Sequence, residues 1–357
     1  MDNLQYPWSE PPATGRAREV APGVLWMRMP MPTALNHINV WALRDRGPTG
    51  APGWCVVDTG MFTPQTVAAW EQLLLPGGDL QGLPVLRVVV THMHPDHVGM
   101  AGWLTRRFGV GLWMSRLEYL HCRVLVNDTG RPVPAEGMEF YQRAGWSREQ
   151  IAAYERRFGD FGRAIDQLPE KFTRLRDGQA LVLAESTYEV VIGQGHSPEH
   201  ACLYDRQQGI FISGDQVLPR ISSNVSVYPT EPQADPLSDW LDSIERLRGR
   251  IDARVLVLPA HNLPFHGLYD RLEALAASTR KALGQLLIAL EEPRRVIDVF
   301  GALFARPITD AHLWSLATGE SLAHLNHLLA QHKIHSWEDA QGVAWYCIHP
   351  PKTASSL

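Results

Sequence analysis

The residues that decide the fold are 91–99, which read Thr-His-Met-His-Pro-Asp-His-Val-Gly. They directly follow residues 85–90, an almost wholly apolar run that predicts a short buried strand. In an extended segment, residues two apart point the same way, so His92 and His94 can converge on one point. The segment therefore predicts a pair of imidazoles delivered together by the end of a strand.

The second half of the same segment predicts a second convergence point. Pro95 ends the strand, and Asp96 and His97 fall at the turn into the following helix. Imidazole nitrogens and carboxylate oxygens are the ligands that suit zinc and similar divalent ions. The segment therefore has room for two metal ions a few Å apart.

Three later apolar strands end in the same manner, each delivering one residue of a metal-ligating type. The three strand ends are Gly195-His196, Gly214-Asp215 and Ala260-His261. Any one of them, taken singly, is an ordinary polar residue in a loop. Their recurrence after the first segment predicts that all of these side chains meet at one edge of a sheet.

This ordered set of motifs resembles the metallo-β-lactamase superfamily over about residues 20 to 265. The resemblance implies an α/β fold, a four-layer αβ/βα sandwich with a binuclear metal centre at the sheet edge. It also implies a division of the ligands between two metals. The first metal is held by His92, His94 and His196, the second by Asp96, His97 and His261, and Asp215 bridges both.

Two neighbouring residues receive supporting roles. Asp58, in Val56-Val57-Asp58-Thr59-Gly60, matches a strand-end aspartate of the family that orients a ligand histidine. His200 follows His196 by four residues and is expected to support the site rather than to bind metal.

The implied cofactors are two divalent metal ions, with zinc expected and iron or manganese as alternatives. A water shared by two such ions becomes a hydroxide near neutral pH and attacks an electrophilic centre, while a metal stabilises the oxyanion. Asp215 and Asp96 are the catalytic candidates: Asp215 as the bridging ligand, Asp96 as an additional aid to leaving-group protonation.

Composition excludes several other classes. The chain has 357 residues, 45% hydrophobic and 20% charged, which excludes disordered and fibrous proteins. Its 33 Lys and Arg against 38 Asp and Glu give a net charge of −5, so nucleic acid is an unexpected partner. No apolar run is long enough to span a bilayer and no signal peptide opens the chain, which predicts a cytoplasmic protein without membrane contact.

The four cysteines also exclude a class of site. They are widely separated and form no C-x-x-C pair, which argues against a disulfide framework or a cysteine-ligated zinc. These cysteines are Cys55, Cys122, Cys202 and Cys347.

The chain is predicted to have three parts. Residues 1–266 form the catalytic domain, and within it 115–175 lose the strand pattern and form a helical lid insertion. Residues 267–292 form a connecting helix. Residues 293–357 read as three helices followed by a β-ribbon, a small winged-helix-like domain for which a dimerising or structural role is favoured.

A small-molecule acyl substrate, namely a thioester, ester or lactone, is favoured for the hydrolase that the resemblance implies. Residues 115–175 contain ten Lys or Arg and nine Asp or Glu, which suits an organic substrate better than a polyphosphate. The alternative is a ribonuclease or phosphodiesterase, since a winged helix resembles the C-terminal portion of a branch containing endoribonucleases. Residues 270–357 hold eight basic and nine acidic residues, which argues against that alternative. A non-catalytic metal-binding or scaffolding protein is the third hypothesis.

Overall fold

The computed structural model describes residues 3–309 and 311–349. Asp310 and residues 350–357 of the predicted terminal domain lie outside the described residues. The chain forms two compact units, and each is built from several segments. Unit 1 comprises residues 1–131, 159–223 and 246–272, and unit 2 comprises 132–158, 224–245 and 273–357.

Unit 1 contains a seven-stranded mixed sheet whose strands follow chain order. These strands are β1 Ala17–Ala21, β2 Val24–Pro30, β3 His37–Arg46, β4 Pro52–Val57, β5 Val85–Val89, β6 Leu112–Met114 and β7 Phe172–Arg174. The first four pair antiparallel, and β4 to β7 pair parallel. The carboxyl ends of β4 to β7 therefore lie at one edge of the sheet.

A second sheet of five strands completes the β-structure of unit 1, in the order β12-β11-β10-β9-β8. These strands are β8 Ala180–Leu183, β9 Ser186–Gly193, β10 His200–Asp205, β11 Ile210–Gly214 and β12 Leu256–Pro259. Strands β11 and β12 are parallel, and the other pairs are antiparallel.

The two faces of the large sheet bury different partners because neighbouring residues point to opposite sides. Trp26 and Trp41 pack toward the second sheet, against residues such as Val190 and Ile212. Met27 and Val40 face the other way, into a core shared with helices. The α/β fold predicted from the sequence, with packed sheets and helices, is thereby confirmed.

The helices of the described residues are mostly short. They are α1 Pro64–Leu74, α2 Pro95–Val98, α3 Ala101–Phe108, α4 Arg116–Asn127, α5 Ala135–Arg143, α6 Arg148–Arg157, α7 Asp160–Arg163, α8 Pro236–Arg250, α9 Leu268–Ala289, α10 Phe300–Leu303 and α11 Ala311–Ala330. Within the described residues, no helix combines the length and the apolarity that a bilayer crossing demands.

The segment 115–175 differs from the strand-free lid predicted for it. Its last residues form β7, which pairs with β6 in the large sheet. Helix α4 places Tyr119 and Cys122 in the same buried core as the sheet. Both ends of the segment are therefore part of the scaffold of unit 1. The sequence analysis did not predict strand β7 because three residues are too few to show a periodic pattern.

The middle of that segment belongs to unit 2. Helix α6 begins with a capping box, in which Ser147 Oγ accepts from the Gln150 amide and Gln150 Oε1 accepts from the Ser147 amide. Trp146 donates through Nε1 to Thr318 Oγ1 of α11 at 2.9 Å. Residues 132–158 and the C-terminal segment thus share one small core.

The C-terminal part of unit 2 has fewer full helices than predicted. The first predicted helix is a 3-10 turn at Val296–Val299 followed by the short α10. The second and third of the three helices predicted for residues 293–357 are one continuous helix, α11. The predicted ribbon is present as strands β13 His335–Glu338 and β14 Ala344–Cys347, which pair antiparallel.

Gly319 lies within α11 and does not end the helix. A glycine within a helical pattern weakens the expectation of a helix. A Cβ at this position would lie only 2.8 Å from the Ser226 side chain and the Val227 carbonyl oxygen. The glycine therefore serves close packing inside unit 2 rather than helix termination.

Candidate metal centre

Each of the seven predicted ligands follows the carboxyl end of a strand in unit 1. His92 and His94 follow β5, and α2, which begins at Pro95, carries Asp96 and His97. The other three residues lie just after β9, β11 and β12. The structure brings all seven together in two groups, His92, His94, His196 and Asp215 in one and Asp96, His97 and His261 in the other.

In the first group, the four ligand atoms lie within 4.8 Å of one another. His92 Nε2 is 2.9 Å from His94 Nδ1 and 3.2 Å from His196 Nε2. Asp215 Oδ2 lies 3.4 Å from His196 Nε2. Three nitrogens and one oxygen converge, which is the donor set of a tetrahedral zinc site.

In the second group, the side chains surround the other oxygen of the same aspartate. Asp215 Oδ1 is 3.4 Å from His261 Nε2 and 3.6 Å from His97 Nε2. Asp96 Oδ2 lies 3.4 Å from His261 Nε2 and 3.6 Å from His97 Nε2. The two oxygens of Asp215 therefore face the two groups separately.

Two buried polar atoms of these groups make no hydrogen bond to any described residue. Neither His97 Nε2 nor Asp215 Oδ1 has a hydrogen-bond partner among them. Buried polar atoms are almost always satisfied, so an unsatisfied pair marks a place where an ion or water belongs. The donor set and these two atoms fit divalent cations.

Asp58 occupies the orienting position expected from the sequence. Its Oδ2 lies 2.8 Å from His97 Nδ1, and its Oδ1 accepts from the Thr91 amide at 2.8 Å. With Nδ1 donating to this carboxylate, His97 presents the lone pair of Nε2 to the site. Asp58 has a φ of 61°, a left-handed conformation that Asp and Asn tolerate better than most residues.

His261 is oriented in a similar way by backbone. Its Nδ1 donates to the carbonyl oxygen of His37 at 2.9 Å, which leaves Nε2 facing the two carboxylates. The His37 ring in turn accepts a hydrogen bond through Nε2 from the Asn262 backbone amide at 2.9 Å. Asn39 Nδ2 is within 2.9 Å of the carbonyl oxygens of Pro259 and Asn262, on either side of the ligand.

Glu118 is a supporting residue that the sequence analysis missed. It lies on α4 and is fully buried, with Oε2 accepting from the Met93 amide at 2.9 Å and Oε1 from the Glu199 amide at 2.8 Å. Met93 lies between His92 and His94, and Glu199 lies three residues after His196. One carboxylate therefore fixes the backbone that carries three of the candidate ligands.

His200 lies beside the first group, in the supporting role expected for it. Its Nε2 accepts from the Asp215 amide at 3.1 Å, and its ring stacks on that of His92 with centroids 4.7 Å apart. Gly214 permits this approach because a Cβ there would lie 2.5 Å from the His200 ring. The Ser223 hydroxyl donates to the Asp215 carbonyl oxygen, so the backbone of Asp215 is held from both sides.

Electrostatics separates the histidines into two types. Burial, reinforced by neighbouring imidazoles, lowers the pKa of His92 well below its ordinary value, and burial lowers the pKa of His94 to about 3. Burial also opposes the charged form of His261, but the Asp215 and Asp96 carboxylates together outweigh it and raise the pKa to about 10. Positive charge is therefore favoured beside Asp96 and Asp215, where a metal cation would replace the proton.

The two sheets and the histidine and aspartate groups at their edge define a hydrolase with the metallo-β-lactamase fold. Residues 36–261 match the family model of the metallo-beta-lactamase superfamily, and residues 283–349 match that of the metallo-beta-lactamase-like, C-terminal domain. The chain belongs to the metallo-β-lactamase superfamily.

Two solved structures resemble almost the whole chain. A beta-lactamase domain protein from Burkholderia ambifaria is 38% identical with a TM-score of 0.88, covering 97% of this chain and 98% of that one. A metallo-beta-lactamase family protein from Thermus thermophilus is 25% identical with a TM-score of 0.76, covering 93% of this chain and 100% of that one.

A curated relative has a named activity. The acyl-coenzyme A thioesterase MBLAC2 of Gallus gallus is 26% identical over 262 residues, which are 72% of this chain and 83% of the relative.

Proposed function

We propose that this protein hydrolyses acyl thioesters with two divalent metal ions, zinc in the first instance, held by the seven side chains described above. The observation that carries the proposal is the position of Asp215, whose Oδ2 faces His196 and whose Oδ1 faces His97 and His261. A carboxylate placed in this way suits two cations better than one. When bound, such cations supply Lewis acidity and lower the pKa of a coordinated water.

The residues around the ligands prepare the site for this chemistry. Asp58 and the His37 carbonyl oxygen fix the tautomers of His97 and His261, so that both present Nε2. His200 and Ser223 fix the backbone of Asp215. Because these partners already hold the ligands in place, little reorganisation is needed when a substrate arrives.

The thioester class is supported by the leaving group that this site can handle. As a metal ligand, Asp96 is ionised and hence a poor proton donor. A thiol has a pKa of about 8.5, far below that of an alcohol, so a thiolate departs with little help from an acid. The thioesterase name of the curated relative supports the same class.

The test is a substrate screen on protein whose metal content has been measured. Purified protein is loaded with zinc, iron or manganese and assayed with acyl thioesters, lactones, β-lactams, phosphodiesters and RNA. We expect thioesters to be the best substrates and chelation to abolish their turnover. His94→Ala should have the same effect as chelation, because it removes one of the ligands of the first group.

The outcomes separate the hypotheses drawn from the sequence. Preferential cleavage of RNA, with a steep dependence on salt, would replace the proposal with the ribonuclease hypothesis. Absence of turnover in every substrate class, with two metals bound, would favour the scaffolding hypothesis. Turnover of thioesters that survives the loss of all metal would refute the proposed role of the seven side chains.

A further inference from the structure

An arginine-lined cleft of about 290 Å³ lies in unit 1. Its charged lining consists of four arginines and two carboxylates: Arg174, Arg176, Arg246, Arg250, Asp177 and Glu199. The lining is therefore cationic in a chain whose net charge is −5. A local excess of this kind is an electrostatic feature that packing does not require.

The ion pairs in the cleft leave part of this charge available. Arg250 is engaged by Asp177 at 2.7 Å and by Glu189 at 2.6 Å. Arg174 has only the Glu199 carboxylate at 4.0 Å, and its buried Nε has no hydrogen-bond partner among the described residues. For the exposed Arg176 side chain, no carboxylate partner is found in the described part of the chain. Two guanidinium groups are thus open to an anion.

The cleft lies at the same sheet edge as the candidate ligands. Arg174 ends β7, which runs parallel to β5 and β6, so its carboxyl end shares an edge with the start of the His92 segment. Gln194 and Glu199 line the cleft and lie two and three residues from His196. Along the backbone this separation is no more than about 11 Å.

We infer that this cleft binds the phosphate groups of a coenzyme A thioester and so selects substrates by their nucleotide end. This inference rests on the proposed thioesterase function and adds the part of the substrate that the metal centre does not touch. Guanidinium groups match phosphate oxygens in bidentate geometry, which makes arginine the suitable residue for this task. A thioester that lacks phosphates would have no use for the cleft.

The experiment measures direct binding and substrate preference separately. Binding of adenosine 3′,5′-bisphosphate, which carries no thioester, is measured by calorimetry on the full chain. The preference is the ratio of kcat/KM for an acyl-coenzyme A to that for the same acyl N-acetylcysteamine thioester. Arg176→Gln and the double variant Arg174→Gln with Arg176→Gln are compared with Arg254→Gln, an exposed arginine that pairs with Asp252 outside the cleft.

We expect the double variant to weaken bisphosphate binding and to lower the substrate preference, each at least tenfold. Arg176→Gln should show a smaller loss in the same direction, and Arg254→Gln should match the wild type. Because the Arg176 side chain is exposed, its replacement keeps the test valid even if the double variant folds poorly. Added salt should weaken bisphosphate binding in the wild type.

Failure of the cleft and failure of the proposed function give different results. If the wild type cleaves both thioesters without preference and does not bind the bisphosphate, the cleft assignment is wrong and the thioesterase proposal stands. If the bisphosphate binds through Arg174 and Arg176 but no thioester is cleaved, the cleft assignment stands and the thioesterase proposal is wrong. Equal losses in all three variants would also overturn the assignment.

Discussion

Asp58 and His97 form a buried pair in which Oδ2 lies 2.8 Å from Nδ1, while the Nε2 of the same ring faces Asp96 and Asp215. Neither side chain is open to solvent to any useful extent. The carboxylate that aligns His97 is thus separate from those that would share a cation with it. Orientation and ligation can therefore be tested independently.

Asp58→Asn should lower metal affinity without displacing the backbone, because Asn tolerates the positive φ of this position. An amide cannot hold the His97 Nδ1 proton as a carboxylate does, so affinity at the second group should fall about 10- to 100-fold. Zinc titration against a competing chelator measures the loss, with Asp252→Asn as an exposed control. Two tightly bound ions with unchanged affinity would show that Asp58 has no orienting role.

Asp215→Ala should remove the link between the two groups. We expect metal content to fall from two ions per chain to at most one, and thioester turnover to fall by at least about a hundredfold. Elemental analysis of native and reconstituted protein gives the stoichiometry. If the wild type held a single ion and the variant held the same amount, the binuclear assignment would be abandoned.

Glu118→Ala should destabilise the scaffold beneath the ligands. The variant leaves the buried amides of Met93 and Glu199 without their acceptor, which costs roughly 2 to 4 kcal/mol for the two groups together. Urea unfolding of the metal-free protein measures the change, and Glu139→Ala, an exposed helical glutamate, is the matched control. Equal stability of the two variants would rule out the structural role assigned to Glu118.

Glu320 predicts a pH dependence within unit 2. Burial raises the pKa of this carboxyl to about 7, although Asn224 Nδ2 donates to its Oε2. The folded state binds the Glu320 proton more tightly than the unfolded state does. The contribution of this proton to the free energy of unfolding is therefore fully present below about pH 4.5 and is lost as pH rises toward 7. The free energy of unfolding should fall by about 3 kcal/mol in total, which corresponds to the rise of the Glu320 pKa by about 2.5.

Glu320→Gln should remove that dependence because an amide stays neutral throughout the range. Unfolding free energies measured between pH 5 and 8 should decline in the wild type and stay nearly level in the variant. Glu139→Gln, exposed on α5, should follow the wild-type curve. Parallel curves for all three proteins would mean that Glu320 already ionises normally in the folded state.

The candidate ligands could be predicted because their arrangement is local and repeated. A strand fixes the direction of His92 and His94, and parallel strands end at the same edge, so sequence spacing translates directly into position. The role of Asp58 in orienting a ligand histidine could also be predicted, but only through the resemblance to a family, and the structure shows that this histidine is His97. His261 was placed by the same logic, since it follows a parallel strand.

Glu118 could not be predicted because its function depends on distant backbone. On a helix, a glutamate ordinarily faces water, and no local signal separates one that is buried. Its two donors, Met93 and Glu199, are distant in sequence, and only the fold brings them together. The continuity of α11 through Gly319 could not be predicted for a comparable reason, because the contact with Ser226 that requires a glycine is not visible in the helix itself.

The segmented build of unit 2 has a consequence for synthesis on the ribosome. Trp146 bonds to Thr318, a residue made 172 positions later. At about 5 to 20 residues per second, the tryptophan emerges roughly 10 to 30 seconds before its partner exists. Tyr141, which packs on Trp146 and on Tyr154 in the folded unit, is synthesised at about the same time as the tryptophan, and so is Tyr154. The nascent chain therefore carries an uncovered aromatic patch while 172 residues, about half of the chain, are added. We expect chaperones to be needed more for unit 2 than for unit 1.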